Sequence, residues 1–188
     1  MVDIFYNIDV FIFTFLNQTI SNPLFDKFFP FITNVKNWYI AFVILWFIAI
    51  FKGGRIGKIS AVGVIVLIVI SDQLSSNILK PLFERVRPCN VLDNVNLLVN
   101  CTRSYSMPSS HSVNNFAVAV FFSRLFPKLK IILLVAATLV AISRPIVGVH
   151  YFFDILVGAM IGALVGYLLS LVAIKIDNYF EQRIINKN

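Results

Sequence analysis

The sequence predicts an all-α, polytopic membrane helix bundle of five to six transmembrane helices with an N-terminal interfacial amphipathic helix. Two compositional observations point there. Hydrophobic residues are 59% of the 188 and charged residues 13%, against roughly 45–50% apolar in soluble domains, and mean hydropathy is +0.85. The third observation is arrangement: apolar runs that approach the ~20 residues of a bilayer crossing are separated by short polar turns. The net charge of +7 would suggest nucleic acid in a soluble protein. Here it fits loop charges on one side of a membrane and a cationic site for an anion, so no nucleic-acid partner is expected. The N-terminus has no basic leader or A-x-A-like cleavage site, so no cleaved signal peptide is expected.

Residues 3–20 read as the amphipathic helix. Ile4, Phe5, Ile8, Phe11, Ile12, Phe15 and Leu16 recur at 3–4 spacing, with Asn7, Thr14, Asn17 and Gln18 elsewhere. After a break at Ser21-Asn22-Pro23, a second, Phe-rich helix runs to about Val35 and suits headgroup-level anchoring. These form an N-terminal segment, 1–36. The core, 37–175, holds spans at about 37–51, 59–79, 108–126, 131–144 and 151–174; a sixth arises if 3–20 also crosses. A polar tail, 176–188, continues as helix.

Basic residues set the orientation. The turns at 52–58 and 124–130 and the tail hold Lys52, Arg55, Lys58, Arg124, Lys128, Lys130, Lys175, Arg183 and Lys187. The other side holds Lys27, Lys36, Lys80, Arg85, Arg87, Arg103 and Arg144, of which Lys80, Arg87 and Arg144 serve a site, as argued next. The 52–58 turn is therefore expected in the cytoplasm, with 80–111 and 143–151 facing outward together.

Three polar patches meet on that outward side, each at the junction of a polar segment and a span. They are Lys80 to Pro88, Pro108-Ser109-Ser110-His111, and Ser143 to Asp154, and they contain both histidines of the chain. Ionisable groups at membrane depth mark function by default. His150 and Asp154 stand four residues apart, so on a helix the carboxylate can hold one ring nitrogen and leave the other free. The alternative is a buried structural pair at a helix end. Lys80, Arg87 and Arg144 can clamp the oxygens of a phosphoryl group. Pro108 fits the first turn of the third span, with the amides of Ser109, Ser110 and His111 turned outward as an anion site. That cation cluster would repel a divalent metal, and only two histidines and one nearby aspartate are at hand as ligands. No metal and no cofactor are therefore expected.

The pattern Lys80-x6-Arg87-Pro88, then Pro108-Ser109-Ser110-His111, then Ser143-Arg144-x5-His150-x3-Asp154 resembles the three signature motifs of the type 2 phosphatidic acid phosphatase family. The resemblance covers about residues 59–174. It implies a metal-independent phosphatase in which His150 is the nucleophile, Asp154 orients it and His111 protonates the leaving oxygen. Lys80, Arg87, Ser109 and Arg144 would bind the phosphoryl oxygens, with Ser110 beside them. The family's second motif usually reads Pro-Ser-Gly-His; Ser110 stands where the glycine would be and can still offer its N–H if its φ stays negative.

The expected substrate is a membrane lipid phosphate or diphosphate at the outer, periplasmic face of a bacterial inner membrane. Lipid A 1-phosphate, undecaprenyl diphosphate and phosphatidylglycerophosphate are similar possibilities. The alternative is a lipid-phosphate binding or transport protein with a cationic headgroup site. Asp72, Ser76 and Lys80 share a helical face at i, i+4 steps, so Asp72 is expected to partner a site cation; an interfacial carboxylate is the other reading. Arg85 and Arg103 have no motif position and read as solvated loop residues. Cys89 and Cys101, the only cysteines, would form a disulfide if their segment faces an oxidising outside; otherwise they are two free thiols.

Overall fold

The computed structural model describes residues 2–186. Its elements are helices throughout: α1 (Val2–Thr14), α2 (Pro23–Thr33), α3 (Tyr39–Lys52), α4 (Gly54–Gln73), α5 (Lys80–Phe83), α6 (Ser110–Leu125), α7 (Lys130–Ile146) and α8 (Phe152–Ile185). Two π-helical turns interrupt the regular helix, Phe15–Thr19 after α1 and Leu74–Leu79 between α4 and α5. Four helical stretches are long and apolar enough to cross a bilayer: Val35–Lys52, Gly54–Phe83, Pro127–Ile146 and Phe152–Ile184. With α6 among them, these are the five spans read from sequence. The tail is not a separate element, because α8 runs through residue 175 unbroken to Ile185; residues 187 and 188 lie outside the described residues.

The centre of the bundle is α6, which packs against α4, α7 and, most extensively, α8. It has 16 residues, and those it buries include Ser112, Val113, Ala117 and Phe121. The α6–α8 contact rests on glycines at i, i+4 steps of α8. A Cβ on Gly162 would sit 2.1 Å from the Val113 carbonyl oxygen, and one on Gly166 would sit 2.2 Å from that of Ala117. No side chain fits there, so the two backbones meet directly, as small residues allow in membrane bundles. One turn higher, Gly158 faces the Ser109 carbonyl oxygen. The seam thus fixes the start of α6 against the start of α8.

Apolar side chains cover the outside. α3 buries none of its residues and is joined to α4 by the Trp46 indole N–H, which donates to the Ala61 carbonyl at 2.8 Å. In α1 the apolar stripe also faces out: Ile4, Phe5, Ile8, Phe11 and Phe15 are exposed, while Asp9, Phe13 and Asn17 are buried at i, i+4 steps. This reverses the arrangement of a soluble amphipathic helix, because lipid rather than water lies outside. Asn17 holds α1 in place: its amide N–H groups donate to the carbonyls of Asn96 and Ile146, both at 2.8 Å, and its carbonyl accepts from the Asn96 N–H at 2.9 Å. α2 starts where the sequence punctuates it. Asn22 caps the N–H groups of Leu24 and Phe25 at 3.0 and 3.1 Å, and Pro23 opens the first turn.

Between α5 and α6 the chain crosses one end of the bundle, with a 3-10 turn at Pro88–Asn90. Cys89 and Cys101 are joined there by a disulfide.

Candidate active site

His150 lies in the short turn between α7 and α8 and is 2% exposed. Its Nε2 faces Arg87 Nη1 at 3.2 Å, and its Nδ1 faces Asp154 Oδ2 at 3.4 Å and Ser106 Oγ at 3.3 Å. Arg87 has only hydrogens to give, so Nε2 is the acceptor and the ring proton sits on Nδ1. Burial pushes the imidazole down to about 3, against the opposing pull of Asp154, so the ring is neutral at physiological pH. The Nε2 lone pair is thus turned toward a guanidinium, at a place that suits an anion.

Asp154 is fully buried in the first turn of α8. Its Oδ2 accepts from the Tyr151 N–H at 2.8 Å and from the Ser106 hydroxyl, and its Oδ1 accepts from Arg85 Nη1 at 2.8 Å. Arg87 is fixed by further bonds to the carbonyls of Ser104 and Val149, at 2.8 and 3.0 Å, and to Ser104 Oγ at 3.0 Å. Arg144, in the last turn of α7, donates from Nη1 to Thr33 Oγ1 at 2.7 Å, while its Nε is buried without a protein partner. Ser109 Oγ is likewise buried and unpartnered. Lys80 is 7% exposed and forms none of the ion pairs found among the described residues. His111 lies within electrostatic reach of Arg144, His150, Lys80 and Arg87. The structure therefore brings the three sequence patches together. Lys80, Arg85, Arg87 and Arg144 against Asp9 and Asp154 leave two positive charges around the pocket, which suits an anion.

Several expectations are corrected. Pro108 is not in the first turn: Ser109 is the N-cap residue and the helix begins at Ser110. The Ser109 N–H is not turned to an anion, because it donates to the Asp154 carbonyl at 3.0 Å. The first bond within α6 runs from the Val113 N–H to the Ser109 carbonyl, so the amides of Ser110, His111 and Ser112 remain as the free first-turn donors. Ser110 is not among the residues with positive φ, and its hydroxyl pairs with that of Ser75 at 2.8 Å. Asp72 lies within electrostatic reach of Lys80, yet its side chain accepts from Asn114 Nδ2 at 3.2 Å. The wider π turn at Leu74–Leu79 breaks the i, i+4 register that placed the two on one face.

Arg85 is the largest correction. It is no solvated loop residue: besides Asp154 it donates from Nη2 to Asp9 Oδ2 at 2.6 Å. Asp9 itself was missed, although it is an ionisable residue inside an apolar helix, the same signal that marks His150. Ser106 and Thr33 carry no such signal.

A cleft of about 430 Å³ leads to the site between the end of α2 and residues 98–100. His111 and Arg144 form part of its wall, with Thr33, Asn34 and Asn100 as its other polar members.

The chain is 31% identical to a lipid A 4'-phosphatase of Porphyromonas gingivalis, over 79% of this chain and 66% of that protein. It is 29% identical to a lipid A 4'-phosphatase of Bacteroides thetaiotaomicron, over 94% of this chain and 81% of that protein. Among solved structures it resembles Aquifex aeolicus LpxE with a TM-score of 0.70 and 29% identity, covering 85% of this chain and 93% of that one. It also resembles a transmembrane PAP2-type phosphatidylglycerolphosphate phosphatase of Bacillus subtilis, with a TM-score of 0.69, 27% identity and coverage of 91% and 87%. A family model matches residues 61–176, more than half of the chain and the whole span of the three patches: the chain belongs to the PAP2 superfamily.

Proposed function

We propose that this protein is a metal-independent phosphatase of membrane lipid phosphates that works through a phosphohistidine. The observation that carries the reading is the His150 ring, neutral, with Nδ1 toward Asp154 and Nε2 toward Arg87. Nε2 attacks phosphorus, the bond from phosphorus to the lipid oxygen breaks, and His111 gives that oxygen its proton. Asp154 stabilises the positive charge that develops on the ring. Arg87, Arg144, Lys80, Ser109 Oγ and the amides at the start of α6 hold the phosphoryl oxygens. Water then attacks the N–P bond and gives its proton to His111, which releases phosphate and restores both histidines. The excess of cations around the pocket, Lys80, Arg85, Arg87 and Arg144 against Asp9 and Asp154, supports a reaction run on fixed positive charges.

The cleft supports a substrate class. Besides His111 and Arg144, the polar members of the cleft are neutral: Thr33, Asn34 and Asn100. They suit the hydroxyl and amide groups of a sugar-like headgroup better than a second phosphate. A monoester of the lipid A type is therefore favoured over a diphosphate, in keeping with what the Porphyromonas and Bacteroides relatives are named for. The site faces the outer side of a bacterial plasma membrane in this reading. The excess of basic residues at the other end and the disulfide at this one support that orientation.

The test is phosphate release from lipid A phosphate, phosphatidylglycerophosphate and undecaprenyl diphosphate in detergent. Release is expected to persist in EDTA and to fall on the order of 10⁴-fold in His150→Ala. Loss in EDTA overturns the metal-free mechanism. Lipid binding without release supports a carrier instead.

A further inference from the structure

The N-terminal helix reaches the catalytic carboxylate. Asp9, on α1, is fully buried; its Oδ1 accepts from the Phe153 N–H at 3.0 Å and its Oδ2 from Arg85 Nη2 at 2.6 Å. The other prong of the same guanidinium donates to Asp154 Oδ1 at 2.8 Å. Arg85 Cζ lies 4.1 Å above the Tyr151 ring, and that ring packs against Tyr6 and Phe13 of α1, with centroids 6.1 and 5.7 Å away. Helix α1 thus grips the His150–Asp154 turn through edge-on and tilted aromatic contacts and one forked cation between two buried carboxylates.

The division of labour on Asp154 makes this grip matter. Its Oδ2 is shared by the Tyr151 amide, the Ser106 hydroxyl and the His150 ring, while Arg85 is the partner of Oδ1. Without Arg85 the carboxylate can turn about its Cβ–Cγ bond. Its contact with His150 Nδ1, at 3.4 Å already the longest of the set, is then the first to fail. A planar guanidinium can hold Oδ1 in one direction only if its own plane is fixed, and Asp9 fixes it. We propose that Arg85 and Asp9 are positioning residues for phosphoryl transfer, so that α1 belongs to the working site and is more than an anchor in the bilayer. The proposal rests on the phosphatase reading given above.

The experiment is steady-state kinetics on the full-length protein in detergent with lipid A phosphate. It uses Asp9→Asn, Arg85→Lys, Arg85→Gln, the double variant Asp9→Asn/Arg85→Gln, His150→Ala and Gln18→Ala. The last removes an exposed α1 bond to the Asn94 carbonyl that has no link to Asp154, and serves as the control. Thermal melts confirm that each variant is folded. Arg85→Gln is expected to lower kcat about 10–100-fold, the range typical of residues that orient a reacting group, with KM within about twofold. Asp9→Asn is expected to lower kcat about 10-fold, and Arg85→Lys, with one donor direction in place of a fork, to fall between. The double variant should be no slower than Arg85→Gln alone, because Asp9 acts only through Arg85. Gln18→Ala should match the wild type. Wild-type kcat in a folded Arg85→Lys or Asp9→Asn protein, or losses that simply add in the double variant, overturn the proposal. A wild type no faster than His150→Ala overturns the phosphatase reading and the proposal together.

Discussion

Two arginines fork between pairs of carboxylates at opposite ends of α4 and its continuation. At one end Arg55 pairs with Asp177 at 2.5 Å and Glu181 at 3.4 Å; its side chain is 35% exposed and theirs are 21% and 58% exposed. At the other end Arg85 pairs with Asp9 and Asp154 at 2.6 and 2.8 Å, and both carboxylates are fully buried. The chemistry is the same and the surroundings are not. Water and salt screen the first fork, so it adds little. The second stands in a low dielectric, where each carboxylate is costly without its cation, and it touches Asp154, which lies beside His150. The Arg85 fork thus ties α1 to the start of α8 beside the candidate site, whereas the Arg55 fork ties α8 to α4.

Matched substitutions test that contrast. The largest effect is expected for Asp154→Asn, which should cut phosphate release on the order of 10³–10⁴-fold, while Asp177→Asn leaves release unchanged; comparable losses would erase the distinction. Arg85→Gln should destabilise the fold by about 3–5 kcal/mol by leaving two buried carboxylates without their cation, read as a lowered melting temperature. A smaller effect is expected from acid. Burial holds His150 at about 3, below its unfolded value near 6.5. The stability this depressed value gives is therefore complete above pH ~6.5 and is lost as pH falls from there toward 3. Melts across that range should show the wild type losing more than His150→Asn. The smallest change belongs to Arg55→Gln, whose melting temperature and activity should follow the wild type at 0.5 M salt.

The five spans were legible because apolar runs bounded by charged turns carry their own boundaries, as at Lys52-Gly53-Gly54-Arg55. The site was legible in part because its three patches sit at span junctions, where polar residues have no other reason to gather. What escaped depends on folding. Arg85 and Asp9 are 76 residues apart, and neither their pairing nor the place of Ser106 between His150 and Asp154 is written in local spacing. Spacing also misled where the backbone left its regular period. The π turn interrupts the helix between Asp72 and Lys80, and the cap at Ser109 spends its amide on Asp154.

The glycine seam between α6 and α8 has a consequence for how such a protein can diversify. The offset between the two histidines is set by backbone resting on backbone at Gly162 and Gly166, with no side chain between them to tune. The chemistry is therefore cast in one rigid piece. The cleft, by contrast, is walled in part by α2 and residues 98–100, elements outside that seam. The walls of the cleft can drift with substitutions in the periphery, while the offset between the two histidines stays as the seam made it.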